Sequence, residues 1–345
     1  MYSGPDPFAV IPRGLTEPDP ARAALRAAGP IVEVAAPEGG SVWIVTEEEL
    51  ARTVFTHPDL AKDTALAPPG WIGLEPTAAE QPALTTTDGP EHTALRRAHA
   101  PLINARHVRE HSDRVHEIAR DLLGRCEGVV DLMAGFTVRY PLTVVLDLLG
   151  IPLDHVDEAA DACLAILDPR QQGAALCRLV EIARTSRVAP PDDEYYHLFS
   201  LIFAGQITTD TALGFLIARV LGDPTEDPVR ETLREHPPAP FSLWRFATAE
   251  VELAGTRLPV GAPVLVDIQG VNARPGPELT FGAGPHFCIG AQLAQLELRA
   301  VLSVLRTDFP HARLAVPYSE LRQVGLGGIQ GSRLTALPVD FGKAA

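Results

Sequence analysis

Apolar positions recur at helical spacing over 19–28, 47–56, 115–123, 136–149, 157–167, 174–184, 195–221 and 292–305, which predicts helices there. Alternating apolar residues over 31–35 and 41–46, around a turn at 37–40, predict a strand pair. A second small pair is expected at 251–253 and 256–258 around Gly255, followed by an apolar run over 264–270. Gly150 and Pro152 end the helix that precedes them, and Asp88, Pro90 and Glu91 open another. Between 64 and 87 the chain is irregular, with Pro68, Pro69, Gly70, Pro76 and Pro82, and so long a loop inside a domain points to function or movement. The pattern is mainly α with small β-sheets.

Composition narrows this only a little. The 345 residues are 46% hydrophobic, no stretch reads as long enough to span a bilayer, and a crude length prior allows about two domains. Pro and Gly punctuate the chain without marking a linker, and there is no internal repeat. Pro5, Asp6, Pro7 and Pro12 make the start neither a signal peptide nor an anchor, and a cytoplasmic enzyme of bacterial type is expected. A net charge of −15 argues against nucleic acid or an anionic membrane as partner. Cys126, Cys163, Cys177 and Cys288 form no C-x-x-C pair, and the first three lie in apolar helical context that suits structural residues.

The chemistry concentrates in 281–290. Gly282 and Gly284 allow a tight turn, and Cys288 stands just before a helix. Neighbouring N–H groups and the helix N-terminus favour the thiolate. Gly290 leaves room for a flat ligand at the helix start, and a thiolate so held suits axial ligation of haem iron. The plain alternative is an inert cysteine ahead of a core helix. Elsewhere, His92 and Arg96 lie one helical turn apart, two donors on one face suited to a carboxylate or to a solvated basic surface. Glu231 and Arg234 have the spacing of a helical ion pair.

The spacing F-x-x-G-x-x-x-C-x-G from Phe281 to Gly290, with His286 before the cysteine, resembles the haem-binding loop of the cytochrome P-450 family. Other segments resemble that family in order, over about 18–341. They include His92-x-x-x-Arg96, the core run 140–152, Ala204-Gly205-Gln206-Ile207-Thr208-Thr209, and Glu231-x-x-Arg234. The resemblance implies one domain over 1–345 with residues 1–17 as an extended arm. It implies haem b (iron protoporphyrin IX) between a long distal helix and the helix after the cysteine loop, with Cys288 as its axial metal ligand. His92, Arg96, Arg245 and His286 would meet the propionates, and Phe281, Gly282 and Gly290 would shape the pocket. Ala204, Gly205, Ile207 and Thr208 would line the oxygen side, where the family's acid is replaced by Ile207. Glu231 and Arg234 would form a structural pair. Trp71, Leu84 and Ile329, the last at the tip of a terminal hairpin, would touch substrate.

Two departures stand out. The meander expected between Asn272 and Phe281 is missing, and the intervals before Tyr195 and before Glu231 are short. Family membership implies dioxygen activation to oxidise a small molecule or peptide in a biosynthetic pathway. Its electrons would come from a ferredoxin-type donor docking near Arg97, Arg106, His107 and Arg109. The missing meander and Ile207 favour one alternative, a helper protein that keeps the fold without turnover, and Ile207 favours another, an enzyme of one-electron oxidative coupling.

Overall fold

A computed structural model describes residues 2–36, 39–68, 83–168, 170–188 and 195–342. The chain enters through β1 (Arg13–Gly14), α1 (Pro20–Ala28), the hairpin β2 (Ile31–Ala35) and β3 (Ser41–Val45), α2 (Glu48–Thr56) and β4 (Leu60–Ala61). A helical half follows: α3 (Gly89–Ile103), α4 (Ala105–Glu110), α5 (Ser112–Leu123), β5 (Val129–Asp131), α6 (Phe136–Leu148), α7 (Val156–Ala165), α8 (Gln172–Ala183), α9 (Tyr195–Gly222) and α10 (Pro228–Glu235). Strands then return as β6 (Arg245–Ala247), β7 (Val251–Leu253), β8 (Thr256–Leu258) and β9 (Pro263–Val266), with α11 (Ile268–Asn272) and α12 (Ala291–Asp308) after them. Four short strands close the chain: β10 (Arg313–Leu314), β11 (Arg322–Gly325), β12 (Ser332–Leu334) and β13 (Pro338–Asp340).

Helix α9 organises the helical half. It packs against α6, α8, α10 and α12, and Leu213, Leu216, Ile217 and Ala218 are fully buried in the largest apolar cluster. Its segment Leu198–Gly222 is long and apolar enough to cross a membrane by length and composition, which corrects the sequence expectation. Yet 72% of its most apolar window is buried against other elements, as in the central helix of a packed core.

The main sheet has the order β2-β3-β9-β6-β4, with β3 and β9 parallel and Trp43 opposite Val264. Arg245 starts β6, one strand from that edge, opposite Val264. The N-terminal arm is knitted into the fold: β1 pairs with β11, and Phe8 is buried against Phe241. Strands β11 and β12 form the expected terminal hairpin, whereas β13 leaves it to pair with β5 and β10.

The predicted Glu231–Arg234 pair parts. Among the described residues, Glu231 and Glu235 both take the guanidinium of Arg219 on α9, which is buried. Arg234 instead donates Nε to Asn272 O at 2.6 Å and Nη2 to Arg274 O at 2.7 Å. The reason is the short connection after α9. It brings the start of α10 against the end of α9, so the buried arginine there reaches the α10 acids.

Candidate active site

The cysteine loop is built from its own backbone. Gly282 (φ 71°) and Gly284 (φ 69°) occupy the left-handed region that both turns require. A Cβ at Gly284 would also meet Thr56 Cγ2 at 2.8 Å, so α2 closes that side. The Phe281 carbonyl accepts the Cys288 N–H at 2.9 Å, and a single 3₁₀ turn at Gly284–His286 carries the chain across. The Sγ of Cys288 then accepts from the N–H groups of Gly290 and Ala291 at the head of α12.

These donors favour the thiolate, as the sequence suggests, though they act against burial. Burial pushes the Cys288 thiol up, and the two N–H groups and Arg96 only partly offset that. Cys288 nonetheless keeps solvent-accessible surface. A Cβ on Gly290 would find Cys288 Sγ and Ile103 Cδ1 no nearer than 3.8 Å, an ordinary contact. The protein itself therefore leaves a methyl-sized gap beside the sulfur.

The donor cluster lies at the other edge of the loop. His286 stacks on His92 with ring centroids 4.0 Å apart. Its Nε2 faces Asp88 Oδ1 at 2.7 Å and its Nδ1 faces Leu84 O at 3.2 Å. Burial pulls the His286 pKa down against the pull of Asp88. Burial raises the Asp88 carboxyl, but the bonds from His286 and the Lys62 N–H outweigh it and hold the group below the usual carboxylate range. Asp88 thus does not use its side chain to cap α3, as its position before Pro90 suggests; the carboxylate is taken by Lys62 N at 2.7 Å and by His286. His92 is buried, and burial, His286 and Arg96 lower its pKa to about 4. Arg245 is buried with Nη1 and Nη2 on the carbonyls of Leu60 and Phe55 at 3.4 and 3.3 Å. Two polar atoms of this cluster, His92 Nε2 and Arg245 Nε, are buried without a partner among the described residues. Arg245 Nε is a donor, and so is His92 Nε2 in the tautomer that carries its proton there; orphan donors on buried side chains call for an acceptor. Haem fits: its propionates supply oxygen acceptors, the open sulfur supplies an axial ligand, and the gap at Gly290 takes a flat face.

On α9, Ala204 is exposed in a helix otherwise mostly buried, so it borders open space. Thr208 Oγ1 donates to Ala204 O at 2.7 Å, the back-bond expected of a threonine one turn on. Gly205 does a different job from the one its neighbour suggests. A Cβ there would come within 2.9 Å of Val145 Cγ2, so glycine admits close packing of α6 rather than space for a ligand. Ile207 is buried. Thr209 Oγ1 donates to Glu297 Oε2 at 3.3 Å, tying this helix to α12, and burial pushes the Glu297 carboxyl well up.

Among the proposed substrate contacts, Trp71 lies outside the described residues. Leu84 is half-buried with its carbonyl on His286, and Ile329 packs against the apolar cluster of Phe241 and Trp244. Of the basic stripe, Arg106 is spent on Glu110 at 2.8 Å, while Arg109 and Arg299 flank a shallow cleft of about 240 Å³ floored by Leu296 of α12. Sequence reasoning missed Asp88 as a ring partner, and it missed Arg219, Asn272 and Thr280. Nothing in the local pattern around these residues marks them.

No protein-family model matches the chain. It is 40% identical over 410 residues to the cytochrome P-450 monooxygenase DoxA of Streptomyces sp. (strain C5), with 97% of each chain covered. The alignment is longer than this chain, so the chain is internally shorter than that relative. It is 30% identical over 356 residues to nocardicin C N-oxygenase of Nocardia uniformis subsp. tsuyamanensis, covering 86% of this chain and 89% of that one. Among solved structures, CYP154A1 from Streptomyces coelicolor A3(2) superposes with a TM-score of 0.81 at 25% identity, over 93% and 96% of the two chains.

Proposed function

This chain belongs to the cytochrome P-450 family and is a haem-thiolate monooxygenase, and on that premise we propose that Cys288 is its axial ligand and that it oxidises a small-molecule or peptide intermediate of a biosynthetic pathway. The observation that carries the residue assignment is the sulfur of Cys288, open on one side and held by two N–H groups on the other, with orphan donors on His92 and Arg245. The similarity to nocardicin C N-oxygenase, named for the compound it oxygenates, supports the substrate class.

Haem, when bound, supplies activation of dioxygen with two electrons and two protons. Cys288 would bind the iron, and His92, Arg96, Arg245 and His286 would hold the propionates, with the carboxylate of Asp88 keeping His286 in place. Phe281, Gly282 and Gly290 shape the cradle. Ala204 keeps the oxygen side of α9 clear. Thr208 donates its hydroxyl hydrogen bond to the Ala204 carbonyl in this arrangement, so it turns lone pairs rather than a donor toward the open side. Ile207 carries no proton, and water or substrate must deliver what the acid of other members delivers. We read the chain as a single cytoplasmic domain over 1–345. Its ferredoxin-type donor docks on the cleft between Arg109 and Arg299, where the head of α12 leads to the cysteine. The relatives are named as oxygenases, which sets the helper alternative aside.

A screen of small natural-product scaffolds for a substrate-induced spin shift tests the substrate reading: binders are expected among them, and a folded, haem-loaded enzyme that answers to none of them but to a carrier-bound or macromolecular substrate overturns it. Proton delivery is tested separately. Ile207→Glu is expected to raise product formed per electron pair consumed severalfold, measured as oxygen uptake against product. Unchanged coupling and product pattern means that position 207 does not limit proton supply.

A further inference from the structure

We propose that Asn272 is a positioning residue for Cys288, the clasp that stands in this chain where the longer meander of its relatives would be. The proposal rests on the haem-thiolate reading above and concerns how this shortened chain holds its sulfur.

The path from α10 to the sulfur is a continuous series of hydrogen bonds. Arg234, released from Glu231, fixes the carbonyls of Asn272 and Arg274 at 2.6 and 2.7 Å. The Asn272 side chain, 2% exposed, then closes the excursion that follows it. Its Oδ1 accepts the Leu279 N–H at 2.8 Å and its Nδ2 donates to Thr280 Oγ1 at 2.9 Å. Thr280 Oγ1 donates onward to the Leu233 carbonyl of α10 at 2.9 Å. Residues 273–277 outside this neck are exposed, with the Arg274 carbonyl held by Arg234, so the neck is the buried part of the excursion. Beyond it, Leu279 O takes the Gly282 N–H at 2.8 Å and Phe281 O takes the Cys288 N–H at 2.9 Å.

A primary amide is the side chain that donates and accepts at one spot without charge. A carboxylate would place a charge at a buried site and face the Thr280 oxygen without a donor, and alanine would orphan the Leu279 N–H. The neck sets where Phe281 begins, and Phe281 sets where the cysteine N–H, and with it the sulfur, can point. Position and thiolate ligation are thereby coupled through Asn272.

The test uses the full chain loaded with haem. Asn272→Ala, Thr280→Val and Thr280→Ser are compared with the parent and with Pro277→Ala on the exposed tip. Three readouts are taken: the thiolate-type Soret band of the reduced carbon-monoxide complex, haem transfer to an apoglobin scavenger, and thermal unfolding with circular dichroism. Asn272→Ala and Thr280→Val are expected to convert a large part of the thiolate band to the thiol type. They are also expected to release haem about tenfold faster, a factor within what the two buried hydrogen bonds that each variant loses can supply. Thr280→Ser and Pro277→Ala should match the parent. If Asn272→Ala does not fold, Thr280→Val, which removes the two bonds at Thr280 Oγ1 but keeps the Asn272 Oδ1 bond to the Leu279 N–H, decides alone. Folded variants with parental band and haem-release rate, differing only in melting temperature, overturn the proposal and leave Asn272 as scaffold. A parent chain without any thiolate band overturns the haem-thiolate reading itself and this proposal with it, which separates the two failures.

Discussion

Replacing Cys288 by serine is expected to abolish the thiolate-type band and to lower oxidation by on the order of 10³-fold, while haem remains bound. The loss follows from chemistry rather than from folding. A thiolate donates electron density that favours O–O cleavage, and a serine hydroxyl at the same place does not. Haem retention follows from the rest of the site, because His92, Arg96 and Arg245 are untouched and two of them carry buried donors that want an acceptor. The fold should hold as well: the loop is fixed by the Cys288 N–H on Phe281 O, a main-chain bond that serine keeps. Carbon-monoxide difference spectra, haem content and product formation on the same preparations check all three statements. A serine variant with the parental spectrum would place the axial ligand elsewhere and take the whole site assignment with it.

The second large effect is expected far from the sulfur. Arg22→Met should destabilise the protein by about 3–5 kcal/mol. Arg22 lies on α1 with its side chain 8% exposed and its Nη1 on Asp267 Oδ1, and its guanidinium sits 4.0 Å over the Phe241 ring. Asp267 is fully buried, and the same Oδ1 accepts the Gly270 N–H at 2.9 Å to cap α11. Without the arginine, a carboxylate stays in a dry site with no counter-charge on it. Adding Asp267→Asn to Arg22→Met should restore most of the loss, because the amide oxygen can still cap α11 and no charge remains to desolvate. Urea unfolding with a shared slope measures both changes. A loss below about 1 kcal/mol would mean that water reaches Asp267 and shares its charge.

Much of this molecule can be read from local pattern. The strand 31–35 and the strands 251–253 and 256–258 have the predicted bounds, and the main helices begin and end within a few residues of their predicted limits. The left-handed glycines at 282 and 284 and the Thr208 back-bond were also legible, because each depends on sterics or reach within a few positions of itself. The site was harder. His92 and Arg96 share a face by spacing alone, but the partner of His286 is Asp88, nearly two hundred residues earlier in the chain. Glu231 and Arg234 have ideal spacing for each other and still turn to Arg219 and to two carbonyls. Gly205 reads as space for a ligand and is packing against Val145.

The amino-acid order alone determined which segments become helix or strand, where the cysteine loop turns, and which chemical groups are on hand. Those outcomes depend on periodicity and backbone sterics, which act over a turn or two. Tertiary structure alone decided which group meets which: the acids of α10 with Arg219, Asp88 with His286, Asn272 with Thr280. It also decided that burial outweighs the N–H groups at Cys288. Partner choice and desolvation depend on what the rest of the chain brings alongside, and no short window of sequence contains that.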